Sequence, residues 1–578
     1  MIGNSFVIRV GGEAGQGLAT ATDILSKLFI KLGYHLFSSK EYMSQIKGGH
    51  NYHTLRISNK KVYADKNEVD LLLALDEKTI LNHYHNMSLN GIIVHNEKFD
   101  LKLINEIKNK NITFISVPLS KIEENIKEKN LHNFIFLGTV VKCLGLEFNF
   151  FKEVLNEFFK KKPELEKHLL EAAQAGYDQA SKIKDFNENK IKIGEFSYLN
   201  GNEAIALGAL KMGLTFHAQY PMTPVTGILH YLSKESLKNK NLTVIQPEDE
   251  ISTINMALGA SYAGARAMTA TSGGGFALMT ESISLAGMAE IPLVIIEGQR
   301  PGPATGLPTK TEQGDLKFVI NSGHGDFPKI VIAPSNIEEC YTETKRAFYL
   351  AEKYQVPAIV LVDKHLCESF KTINLNQEEL NFIFNYNQKI NILNTVDSAL
   401  LNSDGLFKRY QNNNLKRTIP GTENGLFTCT GDEHDEVGYI TEDPEIGKIM
   451  TERRMSKLDL IKKELPVPKL LGVEDAELTI VCWGSNYGGI LEAMERLNLE
   501  DHKVNFLPVK YMCPFQNQEI KNLLDKANKL VLIETNYSGQ LADLIREKTG
   551  IEINDKILRY DGKTFTVDDI YEELNKRI

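Results

Sequence analysis

Short apolar runs alternate with helix-length segments along this chain, and that alternation leaves little room for any architecture but layered α/β sheets. Most runs are four to six residues long and largely apolar, as befits strands buried on both faces of a parallel sheet. A first set lies at residues 6–10, 71–75, 91–94 and 112–117, with a glycine turn and a helix to about residue 32 after the opening strand. A second occupies 214–218, 242–246, 267–270, 292–296, 329–332 and 358–362. A third follows at 478–483, 503–507 and 530–534. The polar stretch 182–190 reads as a linker, and no repeat of fixed period is present. The expected division is a unit at 1–185, a second at 195–375, a crossing segment at 376–470 and a last unit at 471–578.

At 578 residues the chain is long enough for several separate cores, and 42% hydrophobic with 24% charged residues is ordinary for globular protein. A formal charge of −9 argues against nucleic acid or an anionic membrane as partner. No run approaches bilayer length, and the apolar start is too short for a secretory signal, so the cytoplasm is the expected compartment. The six cysteines are scattered without a Cys-x-x-Cys pair, which disfavours a disulfide framework, an iron–sulfur cluster or a tetrahedral zinc site within the chain. The acids and histidine of Gly431-Asp432-Glu433-His434-Asp435-Glu436 are adjacent, and neighbouring ligands on an extended loop rarely converge on one ion, so no metal is expected there.

Chemistry concentrates in the second unit. Tyr220-Pro221-Met222-Thr223-Pro224 follows one strand, and its prolines fix the backbone around the Thr223 hydroxyl. Pro247-Glu248-Asp249-Glu250 lies at the carboxyl end of the next strand and heads a helix rich in Ala, Gly and Ser. Those three acids either complement the helix dipole or supply a site carboxylate. Thr271-Ser272-Gly273-Gly274-Gly275-Phe276 reads as a loop offering amides and open space. Gln299-Arg300-Pro301-Gly302-Pro303 follows a further strand, and the Arg300 fork suits a bidentate carboxylate or a surface ion pair. In the first unit, Gly11-Gly12-Glu13-Ala14-Gly15-Gln16-Gly17 is either a tight turn or a phosphate-binding loop. It lacks Gly-x-Gly-x-x-Gly spacing, so a nicotinamide-dependent dehydrogenase does not fit. His50 and His53 lack carboxylate partners for a metal.

The ordered motifs of the second unit resemble the pyrimidine-binding domain of the 2-oxoacid:ferredoxin oxidoreductases, enzymes that use thiamine diphosphate. The glycine loop, with Gln45-Ile46-Lys47-Gly48-Gly49-His50, resembles the Rossmann-like gamma domain of the same family, linked there to coenzyme A and subunit contact. Gly484-Ser485-Asn486, Glu534-Thr535-Asn536 and Gly539-Gln540 give the last unit a likeness to transketolase C-terminal domains, with a structural and interface role expected. Residues 417–454 look like the family's crossing between two alpha-subunit domains.

The resemblance implies a fused gamma–alpha subunit. Its catalytic glutamate falls on Glu250, with Glu248 as runner-up by counting from Gln246. It assigns Thr223 and Arg300 to the 1-carboxylate of a 2-oxo acid and puts Pro221, Ser272, Gly273 and Gly274 around the cofactor. The family usually has proline where Gly274 stands and isoleucine where Met222 stands. Residues 303–315 resemble the 2-oxoglutarate-type members, with Lys310 as local cation for a second carboxylate. A beta subunit would bring magnesium, the diphosphate site and an iron–sulfur cluster, with coenzyme A as co-substrate and ferredoxin as electron acceptor. The alternatives are pyruvate-like, branched-chain or aryl 2-oxo acids, or a non-catalytic scaffold of the same fold.

Overall fold

The computed structural model describes residues 5–44, 49–99, 111–126, 131–160, 163–186, 196–375, 391–412 and 414–578. Residues 45–48 of the Gln45–His50 motif, 187–190 of the linker and 376–390 of the crossing segment lie outside the described residues. Among those described, the strands gather into sheets of eight, seven and five strands, so the expected α/β architecture with several mostly parallel sheets is the one observed.

In the eight-stranded sheet, Thr113–Val117, Met87–Asn96, Val69–Ala74 and Phe6–Glu13 run parallel, as their apolar composition implies. Beyond them the sheet turns antiparallel through His50–Ser58 and His35–Glu41. It finishes with Phe370–Ile373 and Ser197–Asn200, taken from the two ends of the second unit. The glycine loop is shorter than the sequence suggests. Gly11 and Gly12 belong to the strand Phe6–Glu13 and pair with Tyr52 and Asn51, leaving residues 14–17 as the turn into the helix Leu18–Lys31.

The seven-stranded sheet places the chemistry. Its order is Tyr511–Cys513, Ile330–Ile332, Pro357–Asp363, Leu293–Gln299, Ala267–Thr271, Phe216–Ala218 and Thr243–Ile245, and only the strand from the last unit is antiparallel. Burial on both faces follows from the residues: Leu293 and Ile295 enter one core, Val294 and Ile296 the other. Register sets Thr271 beside Glu297, and Gln299 beside Asp363. The loops after these strands therefore emerge along one edge, where open α/β sheets bind ligands.

The crossing segment is anchored by buried charge. Glu290, almost fully buried, is paired with Arg453 and Lys457, the latter at 2.6 Å, while Arg409 donates to the Glu290 carbonyl. Arg417 pairs with Glu352 at 3.0 Å. In the acidic stretch Glu433 is held by Arg454, His434 bonds the Asp432 carbonyl, and Asp432 accepts from Thr430. Each of those groups has a separate partner.

Candidate active site

Glu250 is the first residue of the helix Glu250–Tyr262, behind the N-cap Asp249, whose carboxylate accepts from Ser252 N at 2.7 Å. The cap turns Glu250 inward: it is 5% exposed, and its buried Oε1 has no hydrogen-bond partner. Its neighbour differs. Glu248 is exposed and accepts the Ser252 hydroxyl at 2.7 Å. A buried carboxylate oxygen without a donor is costly, and a ligand N–H placed against it would meet that cost.

What Glu250 faces is the glycine run. The residues expected as a loop instead start a helix, Gly273–Met288, with Ser272 at its N-cap. Ser272 Oγ is buried and unpartnered, so the helix amides lack a side-chain cap. Gly275 is needed for space: a methyl there would stand 2.6 Å from Glu250 Oε1 and 2.1 Å from Thr271 Oγ1. Gly274 borders open space, with nothing within 4 Å of a methyl at that position. An orphaned carboxylate oxygen, an orphaned hydroxyl and an open glycine surface fit an aminopyrimidine ring laid against this helix start.

The Thr223 turn is braced from below. His217 and Gln219 hydrogen-bond at 2.9 Å, Gln219 Nε2 donates to the Val225 carbonyl, and Asn202 Nδ2 donates to the Pro224 carbonyl. Pro221 is half-buried within this turn. Arg300 Nη1 donates to the Thr223 carbonyl at 2.9 Å, so the hydroxyl-bearing turn and the guanidinium are brought together. Burial pulls the Arg300 pKa down, and Asp315 and Glu297 oppose it. Lys310 sits elsewhere, its Nζ 2.5 Å from Glu41 Oε2 on the strand His35–Glu41.

Sequence reasoning missed two acids behind Arg300. Glu297 is fully buried, and Asp315 approaches Gly273 so closely that a methyl there would lie 2.6 Å from Asp315 Oδ2. The signal was present: a carboxylate inside the apolar run 292–299 is out of place in a buried strand. Gln313 was also missed. It donates to the Trp483 carbonyl, accepts from Asn486 and Thr535, and so ties the loop before Asp315 to the last unit.

Comparison with known proteins follows the same lines. Residues 207–448 match the family profile described as pyruvate flavodoxin/ferredoxin oxidoreductase, thiamine-diphosphate-binding. Residues 7–179 match pyruvate ferredoxin/flavodoxin oxidoreductase, and 476–570 match core domain II of pyruvate:ferredoxin oxidoreductase. The chain is 32% identical to the 2-oxoacid:ferredoxin oxidoreductase subunit alpha of a Sulfolobus species, across 98% of this chain and 96% of that one. It is 28% identical to the 2-oxoglutarate oxidoreductase subunit KorA of Mycobacterium tuberculosis, across 98% and 90%. Among solved structures it superposes with a TM-score of 0.89, at 32% identity and 99% coverage of both chains, on the 2-oxoglutarate:ferredoxin oxidoreductase of Magnetococcus marinus. With 32% identity to a relative across 98% of the chain, this chain belongs to the 2-oxoacid:ferredoxin oxidoreductase family.

Proposed function

We propose that this chain supplies the pyrimidine-binding half of an active site that oxidatively decarboxylates 2-oxoglutarate to its coenzyme A thioester, with ferredoxin taking the electrons. The observation that carries the reading is the buried, unpartnered Glu250 Oε1 facing the glycine start of Gly273–Met288. Thiamine diphosphate, when bound, supplies a carbon nucleophile and an electron sink for decarboxylation. Glu250 holds a proton at the pyrimidine ring nitrogen, the position that activates the ring. Glu248 is the weaker choice because it is exposed and already accepts from Ser252. Ser272, Gly273, Gly274 and Pro221 line the ring, and the open side of Gly274 gives it room. Thr223 and Arg300 orient the 1-carboxylate of the substrate.

The substrate assignment draws on the Magnetococcus marinus structure, which holds 2-oxoglutarate, coenzyme A and succinyl-CoA, and on the KorA relative. Lys310 takes the distal carboxylate in exchange for Glu41. A second reading, a 2-oxo acid without that carboxylate, such as pyruvate, a branched-chain or an aryl acid, is favoured by one fact: the Lys310 charge is already met by Glu41. Magnesium, the diphosphate site and an iron–sulfur cluster belong, in this proposal, to a beta chain. The unit at 1–185 serves coenzyme A and subunit contact, 195–375 is the pyrimidine-binding unit, 376–470 the crossing and 471–578 an interface unit. Among the described residues no helix is long and apolar enough to cross a membrane. The cytoplasm is the compartment proposed.

The test is a substrate panel on the complex purified with its companion chain. The expected result is coenzyme A-dependent reduction of ferredoxin with 2-oxoglutarate, lost in Glu250→Gln while the complex still assembles. Unchanged turnover in Glu250→Gln contradicts the proposal.

A further inference from the structure

Behind the Arg300 clamp lies an arrangement that ordinary ion pairing does not explain. Glu297 is 0% exposed, and neither of its carboxylate oxygens receives a hydrogen bond from a described N–H or O–H group. Glu297 and Gln299 alternate onto the same side of their strand, and the Asp315 N–H donates to Gln299 Oε1 at 3.0 Å, which brings the Asp315 carboxyl toward Glu297. Two ionised carboxylates in a dry pocket repel each other, and one proton between them converts the clash into a hydrogen bond.

The neighbours fix which acid pair this is. Asp315 is held by its backbone, whose N–H donates to Gln299 Oε1 at 3.0 Å, and by the stitched loop around Gln313. The Arg300 charge acts on both acids. Asp363, on the adjoining strand, also faces Glu297 but has its own donors, Leu366 N at 2.9 Å and Thr311 Oγ1 at 3.5 Å. Glu312, on the same loop, also feels the Asp315 charge, and buried Cys367, on the short helix Lys364–Glu368, feels that of Glu297. Against these, burial first and then Asp315 hold the Glu297 carboxyl well above its usual range, and burial raises Asp315 as well.

We propose that Glu297 and Asp315 share one proton as a positioning pair, so that a single negative charge faces Arg300 and its guanidinium stays available to an anionic substrate. The proposal rests on the reading of Arg300 as the substrate clamp. A raised carboxyl keeps its proton to higher pH than usual and loses it as pH climbs through its folded value. The second negative charge then exposed beside Arg300 repels the 2-oxo acid. Substrate binding weakens on the alkaline side, while groups acting only after binding are untouched.

The experiment uses the assembled complex and two readouts. Infrared spectroscopy looks for the carbonyl band of a buried protonated carboxyl, and KM for the 2-oxo acid is followed against pH. The wild type is expected to show the band and an alkaline rise in KM of about tenfold with a smaller change in kcat. Glu297→Gln keeps a donor toward Asp315 that cannot ionise, so the band disappears and the alkaline rise flattens while neutral KM is kept. Asp315→Asn gives the same flattened profile from the other side and carries the test if the first variant does not assemble. A band that persists in Glu297→Gln, or an alkaline rise left intact in both variants, overturns the pair. Arg300→Lys separates the two readings. Raised KM there with unaltered Glu297→Gln and Asp315→Asn pH profiles overturns the pair alone, and unchanged KM in Arg300→Lys removes the clamp on which the pair depends.

Discussion

Lys310 Nζ lies 2.5 Å from Glu41 Oε2, joining the loop that follows Arg300 to the strand His35–Glu41 of the first unit. Both side chains are only partly exposed, so the pair is less screened than a surface bridge. A dicarboxylate substrate that recruits Lys310 must compete with Glu41. Glu41→Gln is therefore expected to lower KM for 2-oxoglutarate severalfold and to leave KM for pyruvate unchanged. Lys310→Met raises the 2-oxoglutarate KM about tenfold. Steady-state assays with both acids check this, and equal effects on the two would remove Lys310 from substrate selection.

Gly275 and Gly274 face different constraints, which makes their alanine variants informative. At Gly275 a methyl collides with Glu250 Oε1 and Thr271 Oγ1. Gly275→Ala is expected to displace Glu250 and to reduce kcat by about a hundredfold or more. At Gly274 a methyl meets nothing in this chain. Gly274→Ala keeps the fold but enters the space given to the ring, so thiamine diphosphate titrations should show affinity about tenfold lower with an unchanged melting temperature.

Glu290 neutralises Arg453 and Lys457 inside the protein, with Arg409 close by. Burial works to raise its carboxyl pKa, but Lys457, Arg453 and Arg409 outweigh burial and hold it below the usual range. A depressed carboxylate contributes stability above its unfolded value and loses it as pH falls through the folded one. Glu290→Gln leaves buried cations uncompensated and should cost about 3–5 kcal/mol. The deficit, followed as melting temperature across pH, should be full at neutral pH and shrink in acid. A pH-independent deficit would point to packing instead.

Gln313 links the last unit to the clamp. Its side chain serves the Trp483 carbonyl, Asn486 Nδ2 and Thr535 N, all buried. Gln313→Leu strands those groups and should cost about 3 kcal/mol in all. Hydrogen exchange is expected to quicken at residues 311–315 and 535–536 while the seven-stranded sheet stays protected. Because Asp315 hangs from the same loop, the substrate KM should rise as well. Unchanged exchange in both segments would contradict the linkage.

The sequence made the parallel sheets readable because strands such as 293–299 are apolar on both faces and stand out from their surroundings. His35–Glu41 and His50–Ser58 escaped because they mix His, Ser, Asn and Lys with apolar residues and pair antiparallel, so no continuous apolar run marks them. The glycine run was expected as a loop because glycine weakens helices, yet it opens one, with close approach of Asp315 to Gly273 and of Glu250 to Gly275 excluding a side chain at those two positions. Thr223, Glu250 and Arg300 were legible as motif residues. Asp315 and Gln313 were not, since their meaning comes from distant partners: Gln313 meets Thr535 across 222 positions of chain. The Lys310 contact with Glu41 spans 269 positions and was equally invisible.

The most direct measurement is the distance from Glu250 to the pyrimidine ring in a structure of the complex with its companion chain and thiamine diphosphate. The account predicts Glu250 Oε1 at hydrogen-bonding distance, about 2.6–3.2 Å, from the ring nitrogen, with the ring against Gly274. A ring nitrogen met by Glu248, or a Glu250 turned away from the cofactor, would contradict it.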